Sequence, residues 1–311
     1  MSSATQAKKQ RSGFLWQLLE NRKAAFGAAL ILFFVLLGLL GPVLVSTDPA
    51  AFVGAPHQPP SSEFLFGTTG QGQDVLAQTI AGARTSLIVG FVTGFAVMAI
   101  GALIGMTAGF FGGWLDGILS FVTNVFLIIP GLPMAVVIAA YLQPGPVTIG
   151  LVLVVTGWAW NARMLRSQIL SLREKDFVLA AIVSGEGRLR IIFREILPNM
   201  TSLLMSGFIS ATVYAIGAQV GLEFLGIGDV SVVTWGTNLY WASNNAALLT
   251  GAWWTVVPTG MCVALIGFAL VLVNFAIDEI TNPRLRAEGT WTRLLKSHNL
   301  EGGLSTPVVR R

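Results

Sequence analysis

Ser86-Leu-Ile-Val-Gly-Phe-Val-Thr-Gly-Phe-Ala-Val-Met-Ala-Ile-Gly-Ala-Leu-Ile-Gly-Met-Thr-Ala-Gly-Phe-Phe111 contains no charged side chain. It exceeds the roughly 18 apolar residues that a helix needs to cross a bilayer. Its apolar residues do not alternate with polar ones, so it does not suit a strand of a membrane barrel. In lipid the backbone must bond within its own segment, which leaves a transmembrane helix. Comparable runs occupy residues 26–46, 117–142, 146–165, 200–222 and 252–277. Only Gln143-Pro144-Gly145-Pro146 separates the third span from the fourth, and its Pro and Gly content marks a tight turn. With 54% hydrophobic and 11% charged residues, the chain reads as an all-α membrane protein of six transmembrane helices.

The first run follows Lys8, Lys9, Arg11, Arg22 and Lys23, as the apolar stretch of a signal peptide would. It is too long for one and has no clear small-x-small cleavage site, so it is read as an uncleaved first span. Residues 13–24 suggest a short amphipathic helix lying in the interface. The expected organisation is a cytoplasmic tail with that helix over 1–25, a six-span domain over 26–280, and a cytoplasmic C-terminal tail over 281–311.

Charge orients these spans. Of 19 Lys and Arg, five precede the first span, seven lie between Arg163 and Arg194, and six follow the last, which leaves Arg84 alone. Basic residues are retained on the cytoplasmic side. Six spans with both termini inside bring the three clusters to the cytoplasmic face of the membrane. The stretches 47–85 and 223–251, rich in Pro, Gly, Ser, Thr and Trp, then face outward.

Several function classes are excluded. The pI of about 9.6 is not matched by basic residues interleaved with aromatics on a soluble module, so no nucleic-acid partner is expected. Cys262 is the single cysteine, which rules out an intrachain disulfide and a Cys-based metal cluster. It reads as a small buried apolar residue. His57 and His298 read as ordinary solvated side chains of an outer loop and a tail. No phosphate-cradling Gly-x-x-x-x-Gly-Lys-Ser/Thr occurs, nor Gly-x-Ser-x-Gly or His-Glu-x-x-His. No catalytic residue, metal ligand or cofactor is therefore expected in this chain.

Gly101, Gly105, Gly109 and Gly113 recur every four residues. They form either a ridge for close helix packing or the scattered glycine that membrane helices tolerate. The segment Arg163 to Thr201 is long for a loop between spans and has its own helical pattern. Residues 177–184 read as a short helix capped by Gly185 at positive φ. Residues 188–197 read as a second, stopped by Pro198, with Asn199 as N-cap of the fifth span. Small residues Ala180, Ala181 and Gly185 permit close approach of a partner, and Arg188, Arg190 and Arg194 can pair with its acids.

Here the chain resembles the permeases of binding-protein-dependent ATP-binding-cassette importers, in the oligopeptide and dipeptide branch, second (C-type) permease. That family carries Glu-Ala-Ala-x-x-x-Gly followed by Ile-x-x-x-Ile-Leu-Pro-Asn. This chain has Leu179-Ala180-Ala181, Gly185, then Ile192-Phe193-Arg194-Glu195-Ile196-Leu197-Pro198-Asn199. Leu179 stands at the family's acidic position and Glu195 at its usual His. Phe66 to Leu76, Gly82 to Leu87, and Gly221 to Gly228 with Trp235-Gly236 are similar to further family stretches in the same order.

The resemblance implies a type I importer transmembrane domain whose coupling loop, about 166–199, docks ATPases through Ala180, Ala181, Gly185, Arg188, Arg190, Arg194, Glu195, Pro198 and Asn199. It implies a second homologous permease, two ATPase subunits that bind ATP and Mg, and an extracytoplasmic binding protein. Peptides are the branch's commonest cargo; oligosaccharide and nickel remain open. Asn124, Tyr214, Gln219 and Asn274 can line the pore or satisfy a neighbouring helix. An ion-coupled secondary transporter is the alternative from another class. It usually keeps ionisable groups near the bilayer midplane, whereas Arg84, Asp116, Glu223, Asp278 and Glu279 fall near span ends. An embedded enzyme and a purely structural assembly protein are further alternatives.

Overall fold

Asp74 opens the longest helix of the chain. Its carboxylate accepts from the backbone N–H of Leu76 at 2.9 Å, and helix α2 runs from there over Val75–Phe111. At 37 residues its length is about 55 Å, well beyond a hydrocarbon core of about 30 Å. The computed structural model describes residues 21–45 and 47–281; most of the expected interfacial helix, both tails and His298 lie outside them. Before α2 comes α1 (Arg22–Leu44), whose N-cap Asn21 accepts from the Lys23 N–H at 3.0 Å. After it come α3 (Gly113–Ile128), α4 (Gly131–Ala140), α5 (Pro146–Arg173), α6 (Asp176–Val183), α7 (Arg188–Ile191) and α8 (Leu197–Asn199). The chain ends with α9 (Thr201–Phe224), α10 (Trp235–Asn244) and α11 (Val257–Thr281). The bundle has a basic end, where α2, α5 and α11 finish, and a capped end, where the loops before α2 and after α9 meet.

Glycines let other helices close on α2. Gly94 lies against Thr212 of α9, where an added Cβ would be 2.7 Å from the Thr212 Cα. Gly101 and Gly109 lie against α5, with Trp158 O and Arg166 O each 3.0 Å from such a Cβ, and Gly105 lies against Ala162 between them. In lipid, packing rather than water exclusion joins helices, and small residues permit the closest contact. The ridge of small residues is therefore real as far as Gly109. Gly113 is not part of it: with φ +62 it follows Gly112 at φ +67, and the pair reverses the chain between α2 and α3.

The third span is the main departure from the expected helices. It is broken at Ile129-Pro130 and bent by 86° between α3 and α4. Proline disfavours helical backbone at the residue before it, and Ile129 is extended at φ −75, ψ 128. The two pieces nonetheless follow α5 along its length. Asp116 pairs with Arg166 near one end, Phe126 packs on Trp158 at 5.2 Å in the middle, and Ala135 and Ala139 cluster with Ile149 and Leu153 at the other. An antiparallel path of that extent crosses the bundle, so α3 and α4 make one broken span and the described residues hold six.

Two other boundaries differ. The segment from Val75 to Thr85, expected as outer loop, is helical because Val75, Ala77, Thr79 and Ile80 are buried at the capped end. The fourth span does not end at 165: α5 continues to Arg173, with Leu165 and Ile169 buried. Arg163 and Arg166 thus stand on a helix and not in a loop.

At the capped end, His57 is half-buried, not freely solvated. The loop before α2 folds onto the loop after α10, which brings His57 Nε2 to 3.2 Å from Asn245 O and lets Trp254 Nε1 donate to Thr68 O at 3.3 Å. Cys262 lies half-buried on α11.

Candidate coupling surface and polar sites

The segment between α5 and α9 folds as a compact knob. Helix α6 ends as its glycine suggests: Gly185 has φ +78, its N–H donates to Ile182 O at 3.0 Å, and the Glu186 N–H donates to Ala181 O at 3.1 Å. This doubly bonded stop requires a left-handed residue just beyond the helix, which glycine adopts without strain.

The second piece is not stopped by Pro198. The chain is α-helical over Arg188–Ile191, passes through a wide π turn over Ile192–Ile196, and carries Pro198 within α8. Proline has no N–H to offer a preceding carbonyl and its ring crowds that turn. The widened turn accommodates both effects. Asn199 is accordingly not the N-cap of α9. Its side-chain N–H donates to Glu195 O at 2.6 Å, and Met200 occupies the cap position with no side-chain bond.

The knob has a rooted face and an open face. Val178, Ile191, Ile192 and Ile196 are buried against Phe110 of α2 and Leu165 and Ile169 of α5. Each such side chain contributes about 1.5–3 kcal/mol on burial, which holds the knob against the ends of α2 and α5. On the open face, Val183 is 88% exposed, Leu189 64% and Phe193 62%, with Leu179 and Ile182 beside them. Apolar side chains clustered outside the bundle mark a contact surface.

Ala180 is exposed and Ala181 half-buried. A Cβ built on Gly185 would meet nothing within 4 Å. Around this patch, Arg188 lies over the Phe111 ring at 5.9 Å and Arg190 is 3.8 Å from Glu186. Arg194 is exposed with no ion-pair partner among the described residues.

The polar groups within the spans divide. Asn124 is exposed on α3 and accepts from Arg163 Nη2 at 2.6 Å. Asn274 of α11 accepts from Ser206 at 2.6 Å and donates to Ser210 at 3.2 Å, which ties it to α9. Tyr214 is half-buried, near Gly131 and Gly157. Gln219 is fully buried and donates to Glu223 Oε1 at 3.0 Å.

Two constellations escaped the sequence reading. At the capped end, buried Glu223 accepts from Gln219 and, at 2.5 Å, from Thr234 Oγ1. Thr234 caps α10 through a reciprocal pair with Thr237, at 3.0 and 2.9 Å. Trp235, wholly buried, donates its backbone N–H to Ser86 Oγ and its ring N–H to Thr79 O, each at 3.0 Å. Helix α10 is thereby pinned onto α2. Gln219 and Glu223 are four apart on α9, a spacing that places them on one face and is legible in sequence. Near the basic end, Asp116 accepts two bonds from Arg166, at 2.5 and 2.7 Å.

Six spans and a rooted knob with an exposed apolar face define a multi-pass membrane protein. Comparison with known proteins agrees. Residues 101–287 match the family described as the inner membrane component of binding-protein-dependent transport systems, and residues 10–60 match the N-terminal membrane domain of oligopeptide transport permease C. The chain is 30% identical over 273 residues to the dipeptide transport system permease protein DppC of Alkalihalophilus pseudofirmus, covering 87% of this chain and 89% of that one. It is 34% identical over 237 residues to the oligopeptide transport system permease protein OppC of Mycobacterium tuberculosis, covering 74% and 81%. The chain belongs to the binding-protein-dependent transport family and is a permease component of an ATP-binding-cassette importer.

Proposed function

We propose that this permease forms half of the pore of a bacterial peptide importer, together with a second, homologous permease. An extracytoplasmic binding protein delivers di- or oligopeptides to the capped end. Two ATPase subunits, which hold ATP and Mg, dock at the basic end. The observation that carries this reading is the open apolar face of α6 and α7 on a knob rooted in α2 and α5. Closure of the ATPases on ATP displaces the knob, and the buried contacts of Val178, Ile191 and Ile196 pass that displacement to the two spans.

Ala180, Ala181 and Gly185 provide close approach, Arg188, Arg190 and Arg194 meet acidic groups, and Glu195, Pro198 and Asn199 hold the second piece in shape. Asn124, Tyr214 and Asn274 are the polar groups proposed for the pore wall, whereas Gln219 serves the capped end through Glu223. The cargo class follows from the relatives, which are dipeptide and oligopeptide transport permeases.

Reconstitution tests this reading. Alone in vesicles, the chain is expected to hydrolyse no ATP and accumulate no peptide. With its companion permease, ATPases and loaded binding protein, both activities are expected. ATP hydrolysis by this polypeptide alone, or a complete assembly that moves no peptide, would overturn it.

The orientation rests on the sequence order of the basic residues, eighteen of nineteen of which precede the first span, lie between Arg163 and Arg194, or follow the last span. In a background lacking Cys262, a cysteine at exposed Ser61 or Ser243 is expected to react with an impermeant reagent added outside whole cells, and one at exposed Ser184 is not. The reverse pattern would place the knob on the wrong side.

A further inference from the structure

A cavity of about 250 Å³ opens between α2, α3 and α5, lined by Gly105, Ser120, Asn124, Ala162, Arg163 and Arg166 among others. Its two arginines differ in status. Arg166 is neutralised by Asp116, which also accepts from Ser120 at 2.9 Å. Arg163 has only the neutral amide oxygen of Asn124, and no carboxylate lies within ion-pair distance among the described residues. Among the described residues the cavity therefore carries one positive charge without an anionic partner, exposed at its mouth toward the basic end of α5. A guanidinium left without an anion beside an open cavity is placed to attract an anionic group.

We propose that this cavity is a carboxylate subsite on the exit side of the pore, which receives the C-terminal carboxylate of the peptide; this rests on the peptide reading above. The guanidinium fork matches a planar carboxylate and retains free donors after its bond to Asn124. Drug-sized ligands occupy pockets of roughly 300–1,000 Å³, so the space suits one end of a peptide and not a whole one. Arg163 stands about 4.5 Å nearer the bundle centre than Arg166 by the helical rise. The layer closest to the basic end is thus the neutral Asp116–Arg166 pair, and the free charge lies deeper. That order favours a solute in the pore over a lipid phosphate at the rim. A single charged contact also leaves the cargo free to depart, as conduction requires.

The test uses the complete complex in vesicles, with initial uptake of tri-alanine compared with tri-alanine amide. Both peptides pass through the same binding protein, so a change in the acid-to-amide ratio between permease variants belongs to the permease. Arg163→Gln is expected to lower that ratio by about tenfold, and Arg163→Lys to retain most of it. Asn124→Asp, which supplies Arg163 with an internal carboxylate, is expected to lower it likewise and provides the answer if Arg163→Gln does not assemble.

An unchanged ratio in both Arg163→Gln and Asn124→Asp would overturn the subsite while leaving the peptide reading intact. So would equal loss of acid and amide uptake that follows the anionic lipid content of the vesicles, which would assign the cavity to a lipid headgroup. A wild-type complex that transports neither peptide would overturn the peptide reading itself, and the subsite with it.

Discussion

Replacing Gly185 by valine is expected to abolish cargo-stimulated ATP hydrolysis while the six spans remain inserted and the companion permease remains bound. Gly185 sits at φ +78 just beyond α6, a conformation that costs other residues about 1–2 kcal/mol and is hardest for β-branched ones. Among the described residues, no neighbour occupies the space where its side chain would go. The internal cost is therefore backbone strain alone, and valine displaces the stop that fixes the open face of the knob. The added methyls also project toward the docking surface.

Asparagine separates the two effects, because it tolerates left-handed backbone but carries a side chain. Wild-type behaviour of Gly185→Asn would assign the defect to strain, and a valine-like defect would assign it to crowding against the ATPase. Docking of loaded binding protein at the capped end is expected to persist in each variant. Full coupling in Gly185→Val, measured as peptide uptake and stimulated hydrolysis, would remove this loop as the mechanical link.

The second large effect is expected at the opposite end. Glu223→Ala deprives Gln219 and Thr234 of their shared acceptor. A buried donor left without an acceptor costs roughly 1–3 kcal/mol. Thr234 keeps a partner in Thr237 at 3.1 Å, but the bond from α9 to the start of α10 is gone. Hydrogen exchange across residues 235–244 is expected to accelerate and binding-protein docking to weaken. Glu223→Gln, which keeps one carbonyl acceptor in a side chain of the same shape, is expected to recover most of the protection. Exchange in Glu223→Ala as slow as in the wild type would show that Trp235 and its bonds to Ser86 and Thr79 hold α10 unaided.

Much of the architecture is local and was legible in the chain. Span number, the tight turn at Gln143–Pro146, and the glycine stop of α6 each depend on a few consecutive residues. Pro130 was visible too, but a proline in a membrane span can be accommodated by neighbouring helices. Whether it breaks the span depends on what α5 offers on either side. The same limit applies at Pro198, where a π turn absorbed a residue expected to end the helix. The segment between α5 and α9 was legible as short helical pieces, whereas its rooted face emerged only from the packing of Ile191 and Ile196 on Leu165 and Ile169.

The amino-acid order by itself determined that this protein lives in a membrane, how many apolar runs it carries, and where along the chain its basic residues cluster. Those properties are sums over neighbouring side chains, and neighbours in sequence are sufficient to evaluate them. Only the tertiary structure decided that Gln219 turns inward to Glu223, that Asp116 neutralises Arg166, and that Arg163 is left with an amide in a cavity. The partners in those contacts lie on different helices or one helical turn apart. Whether a polar group in a span faces a pore, a lipid or another helix is settled by the neighbour it meets, since in a low-dielectric interior each such group must find a partner or a charge to complete it.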